Sequence, residues 1–372
     1  MGARPVTLFL GGDVMLGRGV DQILPHPGNP ALREAHVGDA RTYVELAEAV
    51  NGPIPRPVDV TWPWGEALAL LDEAAPDARL LNLETSVTRD GAFVPGKGVH
   101  YRMNPANLPC LAAARPDACA LANNHVLDFG RAGLAETLDA LAAAGLPAAG
   151  AGRDVDQARA PVAVPLPGGG RLLFFSFGMA SSGIPEDWAA TAGRSGVDFV
   201  DDLSEDAAAA IAERVRRAKR PGDLAVASIH WGSNWGYRVS RTQVRFAHAL
   251  VAGGVDLVHG HSSHHPRPIE LHRGRIVLYG CGDLVDDYEG ITGYEEFRDD
   301  LRLLYFASLD PESGRATALR MAPLRARRMR LCRAAPDDVE WLRATLDRVS
   351  HGFGVRVVGD PDVDGMLAAR EA

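Results

Sequence analysis

Cysteine is scarce in this sequence: Cys110, Cys119, Cys281 and Cys332 are spread over 372 residues with no C-x-x-C spacing. That excludes a disulfide framework and makes a reducing compartment the default. Lysine is scarcer still, with Lys97 and Lys219 alone among 39 basic residues, set against 48 acidic ones for a formal net charge of −9. An acidic chain of this kind lacks the basic face of a sequence-blind nucleic-acid binder, so no nucleic-acid partner is expected. Long apolar runs are missing too. The N-terminal run at residues 6–10 stops at two glycines and Asp13. It is too short for a signal-peptide core, and no span of about 18 apolar residues follows. Val6 stands where a myristoylation site wants Ser or Thr. The expectation is a soluble, cytoplasmic protein with no membrane insertion. Neither a G-x-S-x-G elbow nor a P-loop frame occurs, which removes the serine-hydrolase and P-loop readings.

What is present is an ordinary globular balance, 46% apolar and 23% charged, in a chain about twice the ~150-residue domain prior. Short apolar runs recur and end in small or polar residues: VTLFLGGD (6–13), ARLLNLET (78–85), ACALANNH (118–125), RLLFFSFG (171–178), DLAVASIHWG (223–232), VDLVHGH (255–261) and RIVLYGCGD (275–283). Between them lie stretches of helical spacing at 64–75, 133–145, 204–219 and 241–254. Runs of this kind fit buried strands, and the alternation predicts an α/β protein with a sheet covered on both faces. Residues 21–62, rich in Pro and Gly, read as a long surface excursion. Residues 310–372 carry LRARRMRL, read as a strand face, then a helical stretch and a strand-like VRVV. The predicted organisation is a catalytic domain over 1–310 and an extension over 311–372 packed on it.

The polar residues fall where they matter. Asp13, Glu84, Asn124 with His125, His230 and His261 each sit at the end of a run. In α/β sheets the carboxyl ends of strands are where ligands and catalytic groups collect. A single such histidine is most simply a satisfied structural residue. A whole set in apolar surroundings would need a separate partner for each, whereas one shared metal or catalytic centre satisfies them together.

The local sequences GGDVMLGR (11–18), NLET (82–85), LANNHVLDFG (121–130), SIHWGSNWG (228–236), GHSSHHPRPIE (260–270) and YGCGDLVDDYEG (279–290) occur in that order. As an ordered set they resemble the CapA family of poly-γ-glutamate or capsule synthesis proteins, a branch of the calcineurin-like metallophosphoesterases. The likeness spans residues 6 to 310. It implies a two-sheet β-sandwich flanked by helices, with a metal site at the strand ends. It also implies Asp13, Glu84, Asn124, His230 and His261 as metal ligands, His125 as an acid/base beside Asn124, and His264 as the second histidine of the last motif. Asp128 has two readings of equal weight, orienting His125 or capping the helix that begins near Gly130.

One departure is informative. The wider superfamily has Asp-x-His in its first motif, and here it reads Asp13-Val14-Met15. A thioether is a poor ligand for a hard divalent ion. The expectation is therefore one divalent cation (Ca, Mg, Mn or Zn) and no organic cofactor. With His125 and His264 as opposed bases and Asp13 at the centre, the sharpest predicted reaction is Cα epimerisation of a peptide C-terminal residue. Soluble members of the resembled family carry out such a step in lasso-peptide maturation. The alternative is hydrolysis or transfer at phosphoester, amide or γ-glutamyl bonds. The predicted substrate is a peptide or anionic amino-acyl compound. Lys97, Trp231, Trp235, Arg238 and Arg267 are its predicted binding residues, with packing against neighbouring loops the other reading of the two tryptophans. Cys281, between two glycines, reads as structural.

Overall fold

The computed structural model describes residues 4–372. Two sheets pack face to face with helices outside each. The larger has ten strands, in the order Val355–Gly359, Leu367–Glu371, Ala316–Ala326, Leu301–Leu309, Val6–Val14, Ala78–Leu83, Ala118–Ala120 and Ala148–Ala149. Asp283–Val285 also pairs with Val6–Val14, and Leu331–Arg333 with Ala316–Ala326. The smaller has six, in the order Ile269–His272, Arg275–Leu278, Leu257–His261, Leu224–His230, Arg171–Gly178 and Val162–Pro165.

The alternation of side chains along each strand explains the layering. Leu8 and Leu10 face the same inter-sheet core as Leu172, Phe174, Val226 and Leu257. Phe9, Leu81 and Leu83 face the outer helices of the larger sheet. Phe175, Ala227 and Val258 face the helices Glu205–Ala218 and Arg241–Ala252 on the smaller one. Central strands are thus buried on both faces, which is why they read as near-continuous apolar runs. The expected two-sheet sandwich with flanking helices is the observed architecture.

Three regions differ from their sequence reading. Residues 21–62 are no loose excursion: helix Arg41–Asn51 buries Tyr43, Val44 and Ala47 against the main core, with Ile54 and Val58 following. The helix is a minority feature in a Pro-rich stretch, so composition hid it. The boundary at 310 falls in the turn joining two paired strands, and residues beyond it supply four strands of the larger sheet. The Arg-rich LRARRMRL is a hairpin, with left-handed backbone at Arg328 and Met329 (φ 59° and 50°). The Glu289 carboxylate pins it by accepting from both their N–H groups, at 2.7 Å from Arg328.

Candidate metal centre

The strand ends converge on one buried cluster. Asp13 is aimed into it by a bulge: Leu10 pairs with Leu80 but Asp13 with Asn82, so two residues oppose one. Such a bulge re-aims the following side chain. Gly12 lies inside it, and a Cβ there would stand 1.8 Å from the Gly282 carbonyl. The sequence GGD thus allows the close approach that brings Asp13 beside Asp283, its register partner on the parallel neighbour. Across the sheet Asn82 donates to Asp13 Oδ1 at 2.8 Å and to Glu84 Oε2 at 3.1 Å, tying the two carboxylates together. The turn after His261 places Ser262 at φ 97°, and its N–H donates to Asp13 Oδ2 at 3.1 Å. Backbone strain of this kind persists only where the surroundings enforce it.

On the smaller sheet His230 pairs with His261 and Ser228 with His259 in register, so all four side chains share a face. Their hydrogen bonds fix the tautomers. His259 Nε2 donates to the Gly11 carbonyl at 2.9 Å, so its Nδ1 accepts from the Ser228 hydroxyl at 3.1 Å. Ser228 Oγ then accepts from His261 Nε2 at 2.8 Å, leaving a lone pair on His261 Nδ1. That lone pair faces His230 Nδ1 at 2.7 Å, while His230 Nε2 faces Asn124 Oδ1 at 2.9 Å and Glu84 Oε1 at 3.6 Å. Without an ion, this hydrogen-bond chain is satisfied only with the Asn124 amide NH2 turned toward His230. With one, the ring lone pairs of His230 and His261 and the oxygens of Asn124 and Glu84 converge as donors, a set that fits a metal.

Two groups of donors lie close enough to hold an ion, and they share a carboxylate: Asp13 with His230 and His261, and Asp13 with His264 and Asp283. All five residues are buried. The second group carries a sign of its own, because Asp283 Oδ2 is buried without any hydrogen-bond partner. Met15 is wholly buried in the core, in keeping with its poor ligand chemistry, and Asp283 stands beside Asp13 instead. Electrostatics point the same way. Burial, then the neighbouring Asp283 charge, pushes Asp13 up to about 7. Burial and Asp13 together push Glu84 well above the carboxylate range. Burial also holds His230 and His261 well below the imidazole range, so both keep a lone pair available for an ion. Clustered carboxylates that resist ionisation call for a divalent cation.

Two histidine–carboxylate pairs flank the cluster. His125 Nδ1 lies 2.7 Å from Asp128 Oδ2, and Tyr101 N–H donates to the same oxygen at 2.6 Å. The helix Gly130–Ala143 has Phe129 at its cap and no capping side chain. Asp128 therefore orients His125 and caps nothing. Burial, then the Lys97 charge, holds His125 down at about 4, while Lys97 and His125 overcome burial to keep Asp128 below its usual range. On the other side His264 Nδ1 lies 2.9 Å from Asp283 Oδ1, and its Nε2 lies 3.0 Å from the Asn234 side-chain amide. Burial opposes the charge on His264, but Asp283 and Asp13 outweigh it and raise the imidazole.

The expected substrate residues fare differently. Trp235 is half-buried, stacked on Tyr294 at 3.9 Å, with its ring 5.3 Å from His264 beside the cluster. Trp231 does not: it is buried, stacked on Tyr279, with its indole N–H donating to the Tyr279 carbonyl. It follows His230 directly, so alternation turns it into the opposite core. Arg267 is no free anion anchor either. Its buried guanidinium donates to the carbonyls of Ser233, Trp235 and Arg238 and braces that loop. Arg238 is exposed, and its carbonyl is what Arg267 holds. Lys97 is engaged inward, with Asp128, the Asn124 carbonyl and His125 Nδ1. Sequence reading missed Asp283, Asn82, Ser228 and His259. The available signal for Asp283 is the run RIVLYGCGD, which ends in a carboxylate like the others.

A family model described as "Bacterial capsule synthesis protein PGA_cap" matches residues 7–288, from the first strand through the segment containing Asp283. The chain belongs to this family. It is 57% identical over 358 residues, covering 96% of the chain and 94% of the relative, to a probable polyglutamine synthesis accessory protein of Mycobacterium tuberculosis. It is also 25% identical to the PGA biosynthesis protein CapA of Bacillus subtilis, over 79% of the chain and 66% of that protein. The capsule biosynthesis protein CapA of Bacillus anthracis is 23% identical over 81% of the chain and 63% of its own length. Among the described residues no helix is long and apolar enough to cross a membrane.

Proposed function

We propose that this protein is a metal-dependent enzyme that hydrolyses or transfers amide or γ-glutamyl bonds in an acidic amino-acyl polymer. The observation that carries the reading is the shared Asp13: it joins two buried donor groups at the strand ends. We assign His230 and His261, with Glu84 and Asn124 beside them, to one cation, and His264 and Asp283 to a second. This replaces the single ion expected from the loss of a first-motif histidine. Cations held there would polarise the bond under attack and stabilise charge developing on its oxygen. The chain's own groups handle protons. His125, oriented by Asp128, presents Nε2 toward Glu84 at 3.9 Å, at the edge of the cluster, where it donates or accepts a proton. Asn234 and Trp235 wall the opposite side beside His264.

The relatives' names, which speak of polyglutamine synthesis and of PGA or capsule biosynthesis, support a polymer of this kind as the substrate and give no support to Cα epimerisation. The structure removes part of that reading's pocket as well, since Trp231 lies in the core and Lys97 and Arg267 are engaged internally. The test is incubation of metal-loaded protein with a γ-linked glutamate oligomer, an α-linked one and an aryl phosphate. Release or transfer of glutamyl units, lost together with bound metal in His230→Ala, supports the proposal. Turnover of the aryl phosphate alone moves the substrate class to phosphoesters. Deuterium uptake at a peptide Cα without cleavage overturns the proposal and reinstates epimerisation.

A further inference from the structure

A separate group of metal-type donors lies on the outer face of the smaller sheet. Edge strand Ile269–His272 turns Ile269 into the inter-sheet core. Alternation then points Glu270 and His272 outward, toward helix Arg241–Ala252 and its His248. Each of the three offers one ligand atom, and these atoms lie within 4.8 Å of one another. His248 Nε2 is 2.8 Å from Glu270 Oε1, and the His248 and His272 rings stack at 3.5 Å with planes 8° apart. The Tyr279 hydroxyl donates to Glu270 Oε2 at 2.6 Å, which orients the carboxylate and leaves its other oxygen facing the histidines. Outer hydrogen bonds of this kind position metal ligands.

We propose that His248, Glu270 and His272 form a further metal site, for a borderline divalent cation such as Zn²⁺, that clamps this helix to the edge strand. Two imidazoles and one carboxylate suit such an ion, and His248 is open enough for solvent to complete the coordination (31% side-chain exposure). Imidazole lone pairs lie in the ring plane, so one stacked ring swings outward on binding. Arg273 follows His272 in sequence and sets a positive charge against the ion, which favours a strongly coordinating metal over Ca²⁺ or Mg²⁺.

The experiment titrates metal-stripped full-length protein with Zn²⁺, and with Co²⁺ for its visible ligand-field bands, and compares His272→Ala and His248→Gln. Both variants are expected to bind one equivalent fewer than the parent. Tyr279→Phe is expected to weaken that equivalent by about 10–100-fold. Glutamyl-bond activity, which the proposal places elsewhere, is expected to stay unchanged in His272→Ala. Should His272→Ala not fold, His248→Gln at its half-exposed helix position decides alone. Equal stoichiometry in parent and variants overturns the site.

Discussion

The two histidine–carboxylate pairs beside the cluster are chemically alike and electrostatically opposite. Asp128 shares its charge with Lys97, so the His125 pair contains its own cation, and the imidazole is held neutral near 4. Asp283 has no such partner. It keeps a bare buried oxygen, lies among Asp13 and a raised Asp286 (about 8, from burial against the pull of Arg302), and drives His264 toward its charged form. The contrast teaches where a cation is missing from the protein itself. One side is balanced by a lysine built into the fold, while on the other the proposed second cation would supply the positive charge.

Breaking the comparison at its centre has the largest expected effect. Asp13→Asn removes the carboxylate common to both donor groups. Metal content and turnover are expected to fall together, with activity down by about 10⁴-fold or more, at or beyond the top of the range for a single acid or base. Elemental analysis alongside the rate checks this. His125→Gln is the next test, with kcat lower by about 10²–10⁴-fold and bound metal unchanged. Loss of metal with activity would move His125 from proton transfer into coordination. Asp128→Asn leaves the imidazole in place but disorients it, at a cost of about 10–100-fold. Lys97→Met is expected to lower kcat as Asp128→Asn does. A raised KM at constant kcat would instead return Lys97 to substrate binding. The two tryptophans give the smallest catalytic effect and the clearest split. Trp235→Ala is expected to raise KM by about tenfold with little change in stability. Trp231→Ala is expected to destabilise by about 3–5 kcal/mol in urea unfolding while leaving the KM of the folded fraction alone.

Much of this was legible in the sequence because strand-end position and residue type are local properties. Asp13, Glu84, Asn124, His125, His230 and His261 all end apolar runs, and the structure gathers all of them. The site residues that were not legible share a cause: each depends on which way a side chain turns after the strand, or on a distant partner. Of the two readings of Trp231, strand alternation from His230 favours packing on the other face, as observed. Lys97 was read by composition, as a rare cation free for substrate, when Asp128 on a distant loop neutralises it. Asp283 was passed over because its role exists only through the Gly12 contact that puts it beside Asp13. Helix Arg41–Asn51 was hidden by flanking prolines, although Tyr43, Val44 and Ala47 have core spacing.

The most direct test of the central claim is a metal count by elemental analysis. It is made in a chain carrying His272→Ala so that the outer site does not contribute, with and without Asp283→Asn. Two divalent ions per chain, falling to one when Asp283 is replaced, is the result expected from two donor groups sharing Asp13. A single ion that Asp283→Asn leaves in place would contradict it.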